Sequence, residues 1–395
     1  MPETRVVATA AGAIASIGAG ADAIVEALWA GRGGSVESSM LAGRRVAEIV
    51  DFTPVPWLGS KGIRVLDRAA RLLCVAAQMA LDAAKVEAPP DGDPELGLVC
   101  GTMFGGVHSI ATFDHTAVTE GPSAVNPAHF PNTVINSPTG HAGIKFRLRG
   151  INSTISAGFA SGLQAIGYGA DFVRFGRARG VLAGGLEELS EEAILGFEKS
   201  GMLSASGTAR PFGTQRDGAV PGEGAALLYL ETPESAAARG ATPRFEIRGF
   251  GAAHEATGLH GRSSGAARAI AQAIEAAAIA PADIACVFAS ANGEKLGDEI
   301  EARALREIFG DSCPPVCAPK AAWGEAMGAG AALAAVAATS ALEKQAVPPT
   351  HCFQETERGL PLSREPQPIS GNYALVNAVG CDGIDTSLVI GLWSK

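Results

Sequence analysis

The sequence is short of positive charge. Lysine and arginine total 31 against 41 aspartates and glutamates, for a net charge of -10. No basic tract interrupts that balance, which argues against nucleic acid and against an anionic membrane surface as partners. Long apolar runs are missing as well. Nothing approaches the roughly 18 consecutive apolar residues of a membrane span. No charged-then-apolar leader opens the chain, and the expectation is a soluble, cytoplasmic protein. Cysteines number seven in 395 residues. None stands with histidines at ligand spacing, so no metal site is expected. Their scatter suits free thiols in a reducing cytosol, and Cys313 and Cys317, on either side of two prolines, are read as unlinked. Aromatics make up only 6%, whereas glycine reaches 50 residues. That balance suits closely packed helices and many backbone turns.

One further absence matters more. Residues 151–162, INSTISAGFASG, are a β-branched run that ends in small residues before a helical pattern begins. A strand turning sharply into a helix sets one side chain at the helix N-terminus, where free N–H groups and the dipole stabilise an anion or thiolate. That side chain is Phe159, which is neither nucleophile, acid nor base.

What is present is a regular alternation. Strands are expected at 5–15, 96–101, 151–156, 180–185 and 225–231, with those at 96–101, 151–156 and 180–185 buried. Helices are expected at 21–30, 60–85, 107–118 and after Phe159, where Leu163, Ile166, Ala170 and Val173 form a stripe. Residues 124–150 read as irregular, and 211–224 as a turn-dense loop. The pattern restarts at 244: strands at 244–252, 284–289, 315–318, 373–379 and 386–392, with helices at 266–278, 299–309 and 327–342. Two rounds of this kind predict an α/β fold of two related halves, 1–240 and 241–395, with parallel-dominated sheets and helices between and outside them.

Several stretches together resemble the β-ketoacyl synthase family, which has the thiolase fold. They are 98–106 (LVCGTMFGG), 130–132 (FPN), 160–163 (ASGL), 182–187 (LAGGLE), 209–223 (ARPFGTQRDGAVPGE), 291–301 (ANGEKLGDEIE), 319–330 (PKAAWGEAMGAG) and 374–380 (ALVNAVG). The resemblance implies a chemistry of three side chains. A cysteine before ASG takes the acyl group from an acyl carrier protein. Two histidines polarise a malonyl thioester, whose enolate attacks the acyl-enzyme. At the matching positions this sequence has Phe159, Asn292 and Glu325, so no catalytic residue of the family remains. The family's glycine-rich gating loop here reads Gly380-Cys381-Asp382-Gly383. Lys320, Asp298 and Glu301 stand where the family keeps charges, and are read as ion pairs holding loops. No cofactor is implied.

A shell kept without its chemistry resembles the chain-length factor. This is the inactive subunit that pairs with an active ketosynthase in type II polyketide synthesis, although that branch commonly carries glutamine where Phe159 stands. The resemblance implies a heterodimer, an acyl carrier protein acting mainly through the partner, and an acyl or polyketide chain in a shared tunnel. The tunnel-facing positions carry over as Val107, Ile110 and Asp114, which share one helix face. Bulk there would stop chain growth by overpacking. Asp114 either makes the tunnel end polar or serves as an interface ion pair or solvated group. His108, His115, His129 and His141 are read as structural. Cys381 is weighed as a surrogate nucleophile and disfavoured. Two rival readings stay open: a stand-alone enzyme using Glu325 as base and Asn292 as donor on an acyl thioester, and a scaffold with no acyl tunnel.

Overall fold

The computed structural model describes residues 4–255, 264–353, 355–356, 359–380 and 382–394. Among the described residues, each round contributes five strands to the path of one continuous sheet. The first has Val7–Ala15, Leu96–Gly101, Asn152–Ile155, Gly180–Glu187 and Gly224–Glu231; the second has Phe245–His254, Ile284–Phe288, Val316–Cys317, Tyr373–Val379 and Ile384–Leu392. In space both sets run third, second, fourth, fifth, first. The second strand is parallel to the third and the fourth, while the fifth runs against both of its neighbours. Within each half, then, only the fifth strand runs against the rest. The halves meet where their first strands pair antiparallel, Val7 opposite Glu246 and Ala8 opposite Phe245.

Three cores follow from this layering. The central one packs Ser161–Arg174 and the alanine-rich Gly330–Lys344 between strands of both halves. Gly330–Lys344 is buried almost all round, as expected of a helix with no polar face. Small residues let the backbones touch: a Cβ on Gly162 would come within 2.5 Å of the Gly328 carbonyl oxygen. The outer cores lie under Arg68–Ala84 on one side and under Ser264–Ala276 with Lys295–Phe309 on the other. No described helix is long and apolar enough to cross a membrane.

Three local expectations need correction. The helix expected over 60–85 begins only at Arg68, because the Asp67 carboxylate accepts from Ala70 N–H and caps it there. Residues 124–150 hold an ordered helix, Ser137–Phe146, with Pro138 in its first turn, where a missing N–H costs nothing. The strand at Asn152–Ile155 is not buried: it is the last strand of the sheet and is half-exposed. A β-branched run fits an edge as well as a centre.

Candidate active site, refilled

Phe159 lies two residues ahead of the helix Ser161–Arg174, on a turn made possible by Gly158 at φ 55°. The turn uses its own donors. Ala160 N–H goes to Ala157 O and Ser161 N–H to Gly158 O, while Ser161 Oγ accepts from Ala157 N–H at 2.8 Å. Those amides are therefore not aimed at a ligand. The Phe159 ring is buried against Phe197, with centroids 6.5 Å apart, and packs in a small cluster with Ala193, Ala219 and Met327. Burial of a side chain this size contributes on the order of 1.5–3 kcal/mol.

The other two altered positions have joined each other. Asn292 Nδ2 donates to Glu325 Oε2 at 2.7 Å, and Lys320 Nζ donates to the same oxygen at 2.7 Å. Glu325 Oε1 accepts from Met327 N–H at 2.9 Å. Lys320 also donates to Ser290 Oγ at 3.2 Å and sits 5.5 Å from the centroid of the Phe159 ring. Lys320 and Glu325 are each 1% exposed. Phe159, Asn292 and Glu325, joined by Lys320, thus form one network, in which an aromatic face, an amide and an ion pair satisfy one another. Both oxygens of the Glu325 carboxylate are thus already engaged within the protein.

Buried carboxylates hold the loops around this network. Glu301 accepts from Ser290 and Ala291 N–H and from Asn377 Nδ2. Asp298 accepts from Asn292, Gly293 and Phe212 N–H. These two hold loops through backbone donors and not as the ion pairs expected, whereas Lys320 does form an ion pair, with Glu325. Glu187 gathers Thr102 Oγ and the N–H groups of Met103, Phe104, Gly105 and Gly328. Burial pushes Glu187 and Asp298 up to about 7, against the pull of these donors. The sequence reading passed over Glu187; its signal was the last letter of LAGGLE, an acid closing an otherwise apolar strand.

Little space remains. The cavity lined by Phe159, Met202, Asn292 and Val379 holds about 10 Å³, whereas one water needs about 10–15 Å³. Asp382 leans over the Phe159 turn from the former gate, and a Cβ on Gly158 would come within 2.1 Å of its Oδ2. Cys381 lies outside the described residues. Among the described residues no group of side chains could hold a metal ion.

Val107, Ile110 and Asp114 lie on Val107–Thr119, far less covered than any other long helix described, with no buried residue at all. Val107 is half-buried and Ile110 and Asp114 are exposed. The helix leans on the loop behind it through Phe113 against Phe130, with centroids 6.0 Å apart. His108 faces Glu192 at 3.3 Å and His141 faces Asn132 Oδ1 at 3.0 Å.

The model of the β-ketoacyl synthase N-terminal domain matches residues 3–236, and that of the C-terminal domain matches 244–354. The chain belongs to the β-ketoacyl synthase family. Its thiolase-like fold is shared along the whole length of known members. It is 29% identical over 409 residues to 3-oxoacyl-(acyl-carrier-protein) synthase 2 of Vibrio harveyi, covering 98% of this chain and 99% of that one. The solved ishigamide ketosynthase/chain length factor superposes with a TM-score of 0.94 at 29% identity, covering 99% of this chain and 100% of that one. A type II PKS acyl-carrier protein in complex with its ketosynthase bound to the hexaketide superposes with a TM-score of 0.89 at 25% identity, covering 98% and 99%.

Proposed function

We propose that this chain is a non-catalytic, ketosynthase-like subunit of the chain-length-factor kind. It pairs with an active β-ketoacyl synthase and shapes the acyl tunnel during iterative polyketide or polyene synthesis on an acyl carrier protein. The observation that carries the reading is the reaction centre itself. Phe159, Asn292 and Glu325 with Lys320 fill it, and about 10 Å³ is left. No acyl group fits there, and no thiolate is available to receive one.

Two surfaces support a partner. Asn152–Ile155 ends the sheet with its outer side unpaired among the described residues, which is a template for strand pairing. Val107–Thr119 buries none of its residues and exposes Ile110 and Val118 to solvent, which leaves the helix open to another surface. Likeness to a solved ketosynthase/chain length factor agrees with this. In the pair, Val107, Ile110 and Asp114 would border the growing chain, and the partner's cysteine and histidines would make the bonds.

The test is co-expression with a ketosynthase that retains all three catalytic residues. Co-purification is expected, and Ile110→Phe should shorten the product. Elongation of a malonyl-derived thioester by the purified chain alone would overturn the reading. The rival in which Glu325 serves as base gains nothing from a carboxylate already held by Lys320, Asn292 and Met327 N–H. It requires turnover by the isolated chain that Glu325→Gln abolishes.

A further inference from the structure

Three side chains of the candidate site are arranged to act on one another. Lys320 Nζ and Asn292 Nδ2 each donate to Glu325 Oε2 at 2.7 Å, so an amine and an amide nitrogen share one carboxylate oxygen. Two atoms held on one oxygen are neighbours, and the Asn292 amide carbon is one bond beyond its nitrogen. The other end of the amide is fixed as well. Asn292 Oδ1 accepts from Glu294 N–H at 2.8 Å. That hydrogen bond polarises the carbonyl and favours negative charge built on its oxygen. A nucleophile, a carbonyl, a donor for the carbonyl oxygen and a carboxylate that touches both nitrogens are thus in one place.

The surroundings suit a reaction between them. Lys320 and Glu325 are each 1% exposed and Asn292 is 8% exposed. The Phe159 ring centroid is 5.5 Å from Lys320 Nζ. Away from water the two charges of the ion pair lose their hydration, and a proton can pass from Nζ to Oε2 along their hydrogen bond, leaving a free amine. Asn292 precedes Gly293. In such a pair the glycine nitrogen is the usual attacker of the asparagine amide. Here it is engaged: Gly293 N–H donates to both oxygens of Asp298 at 3.2 Å. Asn292 also lines the small cavity beside Phe159, which gives a departing ammonia somewhere to go.

We propose that Lys320 and Asn292 become joined by an amide bond between their side chains, with Glu325 carrying the protons. Glu325 takes one proton from Lys320 Nζ, and the amine attacks Asn292 Cγ. The Nζ–Cγ bond forms and the Cγ–Nδ2 bond breaks. Glu325 passes its proton to Nδ2 and takes a second one from Nζ. The nitrogen leaves as ammonia and Glu325 ends as a carboxylic acid, with no oxidant or reductant consumed. Neighbouring reactants supply what an external enzyme otherwise would. The ion pair must be given up first, so the step is slow. A newly folded chain holds the ion pair, and an aged chain holds the amide. The bond would tie the loop at 289–294 to the short helix Lys320–Trp323. The inference does not depend on the proposed pairing with a ketosynthase.

The test keeps the full chain warm at neutral pH for several days and samples it by intact-mass spectrometry. A species lighter by one ammonia should accumulate. After trypsin it should give a branched peptide in which Asn292 is joined to Lys320 and the chain is uncut after Lys320. Chain held in urea, where the three side chains separate, should form none. Glu325→Gln should slow the bond by about 100-fold or more, the range of general acid–base catalysis. Lys320→Arg keeps the charge and should give no branched peptide. An aged wild-type chain with no loss of ammonia would overturn the proposal, a reading that needs no variant to fold. So would a loss that persists in Lys320→Arg and maps to one linear peptide, which would mean attack by the Gly293 nitrogen instead.

Discussion

In each half the loop after the second strand runs into a helix, and the two helices differ in what covers them. Lys295–Phe309 buries Ile300, Leu305 and Phe309 together with two carboxylates, whereas Val107–Thr119 buries nothing. The difference follows from where each loop gets its anchor. In the C-terminal half the anchors, Asp298 and Glu301, are on the helix itself, which must therefore lie against the loop it holds. In the N-terminal half the anchor is Glu187, at the end of a neighbouring strand. That leaves Val107–Thr119 free of internal duty and open to another surface.

The largest effect should come from the C-terminal side. Lys320→Ala leaves the buried Glu325 carboxylate without its cation, a loss on the order of 3–5 kcal/mol in urea unfolding. The double change Lys320→Met with Glu325→Leu should recover most of that loss, because it removes both charges from the interior. If the double variant is no better than the single one, the pair is more than packing. Phe159→Ala opens a cavity and should cost about 3–5 kcal/mol. Phe159→Cys should fold and still give no condensation when the chain is assayed alone, because Asn292 and Glu325 remain.

A smaller effect belongs to Glu188. Burial, and then the charge of Asp67, push it up to about 8, and its Oε1 has no partner. The folded chain keeps this proton where the unfolded chain, with a carboxylate near 4.5, has already lost it. Stability from this group therefore falls as pH rises from about 4.5 to 8. Glu188→Gln keeps an acceptor for Ala69 N–H and should flatten that slope, gaining on the order of 1–3 kcal/mol at alkaline pH, read as Tm against pH. The smallest effect is on the helix that buries nothing. Ile110→Ala should leave the stability of the isolated chain within about 0.5 kcal/mol while weakening co-purification with a ketosynthase. A large loss of stability in the isolated chain would mean that this helix serves its own fold after all.

The alternation of strand and helix was legible because buried strands such as 96–101 and 180–185 are continuous apolar runs, and because Leu163, Ile166, Ala170 and Val173 keep a helical period. The edge position of Asn152–Ile155 was not, since local sequence cannot tell which strand closes a sheet. The helix Ser137–Phe146 was hidden by its proline, glycines and threonine, all poor helix formers that tertiary contacts override here. At the candidate site, the residue types Phe159, Asn292 and Glu325 were legible in the sequence. Their mutual engagement was not: it joins positions 33 residues apart and recruits Lys320, whose partner no spacing identifies.

The open flank at Asn152–Ile155 has a consequence for how the protein is made. Four residues of bare backbone are harmless while something lies alongside them, and adhesive when nothing does. On the proposed pairing, any surplus over the partner would be left to stick to itself, so a cell would gain by translating the two in matched amounts, and overproduction of this chain on its own should yield aggregates before it yields a usable monomer.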